Sequence, residues 1–198
     1  MPLAQVRIQE FGLSLRGQIG LTLYDDGFLF AQQTGRTSSA LRAWSTTGQI
    51  HLLVVQEGKP GERKKILLER LTHELCHIAL FDCCPNVALP SWWQEGVASV
   101  VARQERRRLS VEQLCILASS SGFDVDARLL NRKIRIEKDA FFRYALAHHV
   151  VHFCVEKVGP IHIGAFARAL CRGEVLENLF HRQIKYSLDE VVAQVLRS

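Results

Sequence analysis

The chain of 198 residues has no apolar run approaching the roughly 20 residues that a membrane-spanning helix needs, so a membrane-embedded role is not expected. Its opening stretch, MPLAQVRIQEFGLSLRGQ, alternates apolar and polar residues and has no continuous hydrophobic core of a secretory leader, so a cytoplasmic location is expected. The six cysteines (Cys76, Cys83, Cys84, Cys115, Cys154 and Cys171) contain no CxxC pair. Cys83 and Cys84 are adjacent, which is poor geometry for an ordinary bridge, and all six are read as reduced thiols packing like small hydrophobes. Repeats and low-complexity segments are absent. A one-sided charge is also lacking: the net charge is only +5, and the densest basic run, RQERRR at 103–108, suits the end of a preceding apolar helix. Aromatics interleaved with basic residues are missing, so nucleic acid is not an expected partner.

What is present is an ordinary globular composition, 47% hydrophobic and 23% charged, long enough to bury a real core without staples. The pentapeptide His73-Glu74-Leu75-Cys76-His77 is an H-E-x-x-H motif, and Leu67, Leu68, Leu71, Leu75 and Ile78 recur around it at helical spacing. On a helix, residues i and i+4 share a face one turn apart, so His73 and His77 can grip one Zn²⁺ while Glu74 stands beside an open coordination position. Downstream, Trp92-Trp93-Gln94-Glu95-Gly96 places a carboxylate, Glu95, where a third ligand is needed. His148, His149 and His152 form a second cluster, weak as a separate site because no carboxylate lies near it in sequence; at least two of the three are expected on partly exposed surface.

The order of elements points to an α+β fold in one domain over 1–198, a β-rich lobe at 1–62 followed by a helical lobe at 63–198. Val6/Ile8, Leu13/Leu15 and Ile19/Leu21/Leu23 alternate as half-buried strands do. Asp25-Asp26 can cap a short helix from Gly27 to Gln33 that Thr34-Gly35 ends. Two further strands, Ser39 to Ser45 and Gln49 to Val55, precede a metal-binding helix from Gly61 to Leu80. After a loop from Asp82 to Pro90, Ser91 is expected to cap the helix of Glu95, and Ser110-x-x-Gln113 and Ser187-x-x-Glu190 read as capping boxes. Asp139 opens a long apolar helix to Val158, closed by Gly159-Pro160.

Three blocks resemble the gluzincin metallopeptidases, specifically the compact peptidase MA-like branch related to aminopeptidase N. They are HELCH, the segment LPSWWQEGVA at 89–98 with its W-x-x-E-G-x-A pattern, and the segment from Tyr144 to Gly159. The resemblance implies a zincin-like fold with a small N-terminal sheet, an active-site helix and a C-terminal helical lobe. It also implies one Zn²⁺ per chain held by His73, His77 and Glu95, with Tyr144 beginning a helix and donating to the oxyanion. An edge strand would bind the substrate backbone by strand addition, Ser39 to Trp44 being the local candidate. Arg36 and Arg42 beside it would then favour acidic side chains or a C-terminal carboxylate. The aminopeptidase's substrate-amine block has no counterpart, since no acidic residue occurs between Asp26 and Glu57.

The expected activity is hydrolysis of a peptide or protein substrate, with Glu74 as general base toward a metal-activated water. Trp92 and Trp93 are expected to pack the ligand helix against the metal helix rather than to touch substrate. A second reading is a regulatory or binding module with an intact zinc site and no turnover, which the short N-terminal region, offering little substrate-binding surface, keeps open.

Overall fold

A computed structural model of the chain describes residues 2–35, 43–54, 59–104, 109–120, 125–131 and 137–197. The elements run α1 (Pro2–Glu10), β1 (Gly20–Tyr24), α2 (Gly27–Thr34), β2 (Ala43–Thr46), β3 (Gln49–Leu53), α3 (Pro60–Cys83) and α4 (Ser91–Val101). They continue as α5 (Val111–Ser120), α6 (Ala127–Asn131), α7 (Glu137–Val158), α8 (His162–Cys171), α9 (Leu176–Leu179), a π-helical turn (Phe180–Ile184) and α10 (Leu188–Val195). The fold is mixed α+β, with one small sheet among many helices.

The sheet has the order β1-β3-β2, with β1 parallel and β2 antiparallel to β3. Ile50 and Leu52 of β3 are buried, and Ser45 of β2 pairs with Ile50, so its side chain shares that inward face. Helix α2 forms as its punctuation dictates. The Asp26 carboxylate accepts from the Phe28 and Leu29 amides, and Gly35 closes the helix at φ 65°, a left-handed conformation suited to glycine.

The first strand expected, around Val6 and Ile8, is instead helix α1, whose buried residues Ala4 and Ile8 lie four apart on one helical face. Leu13 and Leu15 belong to no strand. The expected β-rich lobe at 1–62 is thus not uniform. Helix α1 packs on α3, the Phe11 carbonyl accepts from the Gly164 amide, and the Gly12 carbonyl accepts from Arg168 of α8. Of the strand expected from Ser39 to Ser45, residues 39–42, including Arg42, lie outside the described residues, as does Arg36 beside it; β2 begins at Ala43.

Helix α3 runs 24 residues, with Pro60 in its first turn, where a missing N–H costs nothing. It continues through Cys83, beyond the expected end at Leu80. Pro90, not Ser91, flanks α4, and Ser91 is the first helical residue without a capping bond. The chain is fixed there by Gln94, whose amide donates to the Leu89 carbonyl at 2.8 Å. The two capping boxes are present: Gln113 and Ser110 exchange bonds of 3.0 and 3.2 Å, and Glu190 and Ser187 bonds of 2.7 and 3.1 Å. Helix α7 starts at Glu137 rather than Asp139, and Tyr144 therefore sits about two turns inside it, not at its start.

One buried apolar cluster runs from Ala4 and Ile8 through Ile50, Leu75, Trp93, Val97, Leu146 and Val150 to Phe166 and Val195. Trp92 and Trp93 are both buried, as expected of packing residues, and Trp93 also stacks on Phe166 of α8 at 5.6 Å. Helices α4 and α7 meet closely at Gly96. A Cβ there would stand 2.6 Å from the Ala147 carbonyl oxygen, so only glycine admits this approach. Among the described residues no helix is long and apolar enough to cross a membrane.

The reading of six free thiols is corrected at one pair. Cys84 and Cys171 form a disulfide across 87 residues, with a Cα–Cα distance of 5.4 Å. Adjacency makes a bond between Cys83 and Cys84 unfavourable, but does not keep Cys84 from reaching the end of α8, which the packing sets beside the end of α3. Cys76, Cys83, Cys115 and Cys154 are free. Burial pushes the Cys154 thiol up to about 12, and burial, with the Glu95 charge, pushes that of Cys76 higher still. Both therefore stay as inert thiols at neutral pH. Alkylation of the air-oxidised, denatured protein should label four cysteines without reductant and all six after reduction, read by intact mass. Six labels without reductant would refute the bond.

Candidate metal centre

Helix α3 presents His73, Glu74 and His77 within slightly more than one turn, in its buried C-terminal half. The i, i+4 spacing brings His73 Nε2 and His77 Nε2 to 3.2 Å, with the rings edge-to-face at a centroid separation of 4.9 Å. Two imidazole nitrogens this close on a helix can share a proton or a cation. Helix α4, docked across α3, supplies the carboxylate. Glu95 Oε2 lies 3.4 Å from His73 Nε2, and Glu95 Oε1 lies 3.7 Å from His77 Nε2.

These spacings fit an ion. Ligand atoms about 2.0–2.2 Å from a tetrahedral metal stand roughly 3.3–3.6 Å from one another. The nitrogen–nitrogen distance of 3.2 Å and the nitrogen–oxygen distances of 3.4 and 3.7 Å, each to a different oxygen of Glu95, lie near that range, and one ligand atom from each of the three groups lies within 4.8 Å of the others. Two neutral nitrogens and one carboxylate make a donor set of borderline softness, suited to a first-row divalent ion. His77 is biased toward its neutral, metal-ready form: burial first, then the neighbouring His73, lowers its pKa from the ordinary 6.5, against the opposing pull of Glu95 and Glu74. The Nδ1 of His73 is buried and has no hydrogen-bond partner among the described residues, so none of them serves as a second-layer acceptor that orients this ring.

A cleft of about 600 Å³ opens over the cluster. One wall is β2 and its turn, from Ala43 to Thr47; the floor is His73, Glu74, His77 and Phe81 of α3; the far wall is Gln94 and Glu95 of α4 with Tyr144 of α7. All five expected site residues, His73, Glu74, His77, Glu95 and Tyr144, therefore border one space. Tyr144 reaches it from the interior of α7, beside the Arg143 guanidinium, which lies 5.3 Å from the tyrosine ring centroid. The half-buried edge strand β2 also borders the cleft, at the described end of the candidate strand. A smaller apolar hollow, of about 390 Å³, continues past Phe81 and Gln94 and is lined by Leu80, Val87 and Leu89.

One contact was not foreseen. The Ser45 hydroxyl of β2 donates to Glu74 Oε2 at 2.6 Å. A hydroxyl on the inward face of a strand asks for a partner, which was the available signal; the partner itself lies 29 residues away and is set only by packing.

The second histidine cluster stays out of the cleft lining. His148 is buried and bonded through Nδ1 to the Ser99 hydroxyl at 3.0 Å, fastening α7 to α4. His149 reaches the Leu109 carbonyl at 2.8 Å, and His152 lies 3.7 Å from Glu156, which corrects the expectation that no carboxylate lies near this cluster. The latter two are partly exposed, as expected.

Against known proteins, the chain matches no family model, no curated protein and no solved structure.

The geometry predicts one divalent ion per chain, weakened more in His77→Ala or Glu95→Gln than the ~10–100-fold that loss of an outer partner costs. Proton and metal compete for the same imidazole nitrogen. Since His77 titrates below 6.5, affinity should hold through the neutral range and fall as pH drops beneath that value. Metal competition titrations between pH 5 and 8 check both; equal affinity in the variants would dismiss the cluster.

Proposed function

We propose that this protein is a zinc-dependent peptidase with a zincin-like arrangement, in which His73, His77 and Glu95 hold the ion. The observation that carries the reading is the meeting of two imidazole nitrogens and a carboxylate at 3.2–3.7 Å, with a non-ligand carboxylate and a phenol bordering the same cleft. Zinc favours such a nitrogen and oxygen set, and when bound it acidifies a water and polarises a substrate carbonyl.

The remaining work falls to the chain. Glu74 follows His73 directly, and successive helical residues point about 100° apart, so its carboxylate stands beside the ligand face. Its oxygen not engaged by Ser45 accepts a proton from the attacking water and later returns it to the leaving amine. The Tyr144 hydroxyl, from the opposite wall, donates to the oxygen on which negative charge develops. The walls of the cleft suit an extended peptide: the edge strand β2 offers backbone groups for strand addition, and the apolar hollow beyond Phe81 offers room for a side chain. No acidic residue on β2 answers a substrate amine, which favours recognition away from a free N-terminus.

Two variants test the reading. Glu74→Gln should keep the metal and lower kcat on a peptide library by about 10²–10⁴-fold. Cleavage equal to that of the unaltered protein would remove Glu74 as the base, and absence of cleavage by zinc-loaded protein would favour a metal-bearing binding module instead. Tyr144→Phe should lower kcat about 10²-fold with metal affinity and KM unchanged. A rise in KM alone would assign the phenol to substrate binding.

A further inference from the structure

We infer that Ser45 is a positioning residue, whose hydroxyl fixes the orientation of the Glu74 carboxylate; its consequence for turnover rests on the reading of Glu74 as the base. Helix α3 sets the Cα of Glu74 but not its carboxylate, which ends three freely rotating bonds and loses side-chain freedom when it is immobilised. The neighbouring histidines do not hold it, since each turns its Nε2 toward Glu95. The hydrogen bond that does is the 2.6 Å contact from Ser45 Oγ to Glu74 Oε2.

Serine suits this task. It has one side-chain torsion, and its backbone is fixed by the antiparallel ladder in which Ser45 opposes Ile50. The anchor therefore comes from a second rigid element across the cleft. A carboxylate accepts at two oxygens, so occupying Oε2 still leaves Oε1 able to take a proton. The bond also links two functions of β2. The strand that borders the cleft as an edge carries, on its inward side, the group that aims the carboxylate. A ligand paired along β2 would stiffen the strand and, through Ser45, the orientation of Glu74.

The test has one arm independent of turnover. In the metal-free protein, Ser45→Ala should lower Tm by about 2–4 °C, and the same change made on Glu74→Ala should give no further shift. Equal shifts in both backgrounds would overturn the inference, because the hydroxyl would then be stabilising something other than Glu74. In the zinc-loaded protein, Ser45→Ala should lower kcat about 10–100-fold with KM and metal affinity unchanged. Ser45→Thr, which keeps a hydroxyl, should restore kcat to within about threefold of the unaltered protein, while Ser45→Val, its isostere without one, should behave like Ala. Thr and Val variants of equal activity would overturn the positioning role. If the unaltered zinc-loaded protein cleaves nothing, the peptidase reading fails, and the Tm comparison alone decides whether Ser45 orients Glu74.

Discussion

Three ionisable side chains, His73, Glu74 and His77, lie on the buried half of one helix, and groups withdrawn from water destabilise a fold unless partners meet them. The elements around α3 supply those partners. Glu95 comes from α4, one oxygen near each histidine nitrogen, and Ser45 comes from β2, bonded to Glu74. A cation among the two imidazoles and the carboxylate would complete the same accounting, since it satisfies in one stroke the lone pairs that now face each other. The small sheet and the second helix thus do more than shield apolar surface. Each delivers one polar side chain to a helix that would otherwise bury its ionisable groups with fewer partners.

The position of Glu95 depends in turn on how α4 meets α7. Gly96 lets the backbones approach until a methyl group would strike the Ala147 carbonyl, and three residues on, Ser99 bonds to the buried His148. His148 is itself one turn beyond Tyr144. The two contacts therefore set the register between the helix bearing the carboxylate and the helix bearing the phenol, with no member of the pin entering the cleft. A buried histidine in such a place is a fastener, and its appearance beside two other histidines is incidental to any metal.

What was legible in the chain follows the range of the interactions involved. The pairing of His73 with His77 is a local property of helical periodicity. The ends of α2 and the boxes at Ser110 and Ser187 are equally local, each written within four residues. Non-local features were not readable in this way. Val6 and Ile8 alternate as a strand does, yet Ala4 and Ile8 also satisfy a helical face, and the docking of α1 on α3 decided between them. Ser45 looked like any strand serine until β2 was laid across α3. The resemblance puts Tyr144 at a helix start, whereas α7 begins two turns earlier at Glu137, close to the start that Asp139 marks in the sequence.

The Cys84–Cys171 bond has a reach beyond the two helices it joins. Closing a loop of 87 residues removes about 4–5 kcal/mol of conformational freedom from the unfolded chain on an entropic account. Such links endure in oxidising surroundings and are opened by the thiol buffers of the cytosol. The anchored cysteine lies seven residues past His77, at the far tip of the same helix, so its loss would loosen the tail of α3 before the ligand turn. Compartment and durability are thereby joined: moved from an oxidising to a reducing milieu, this molecule would keep its cluster of nitrogens and oxygens but surrender the clasp that secures the end of the helix bearing them.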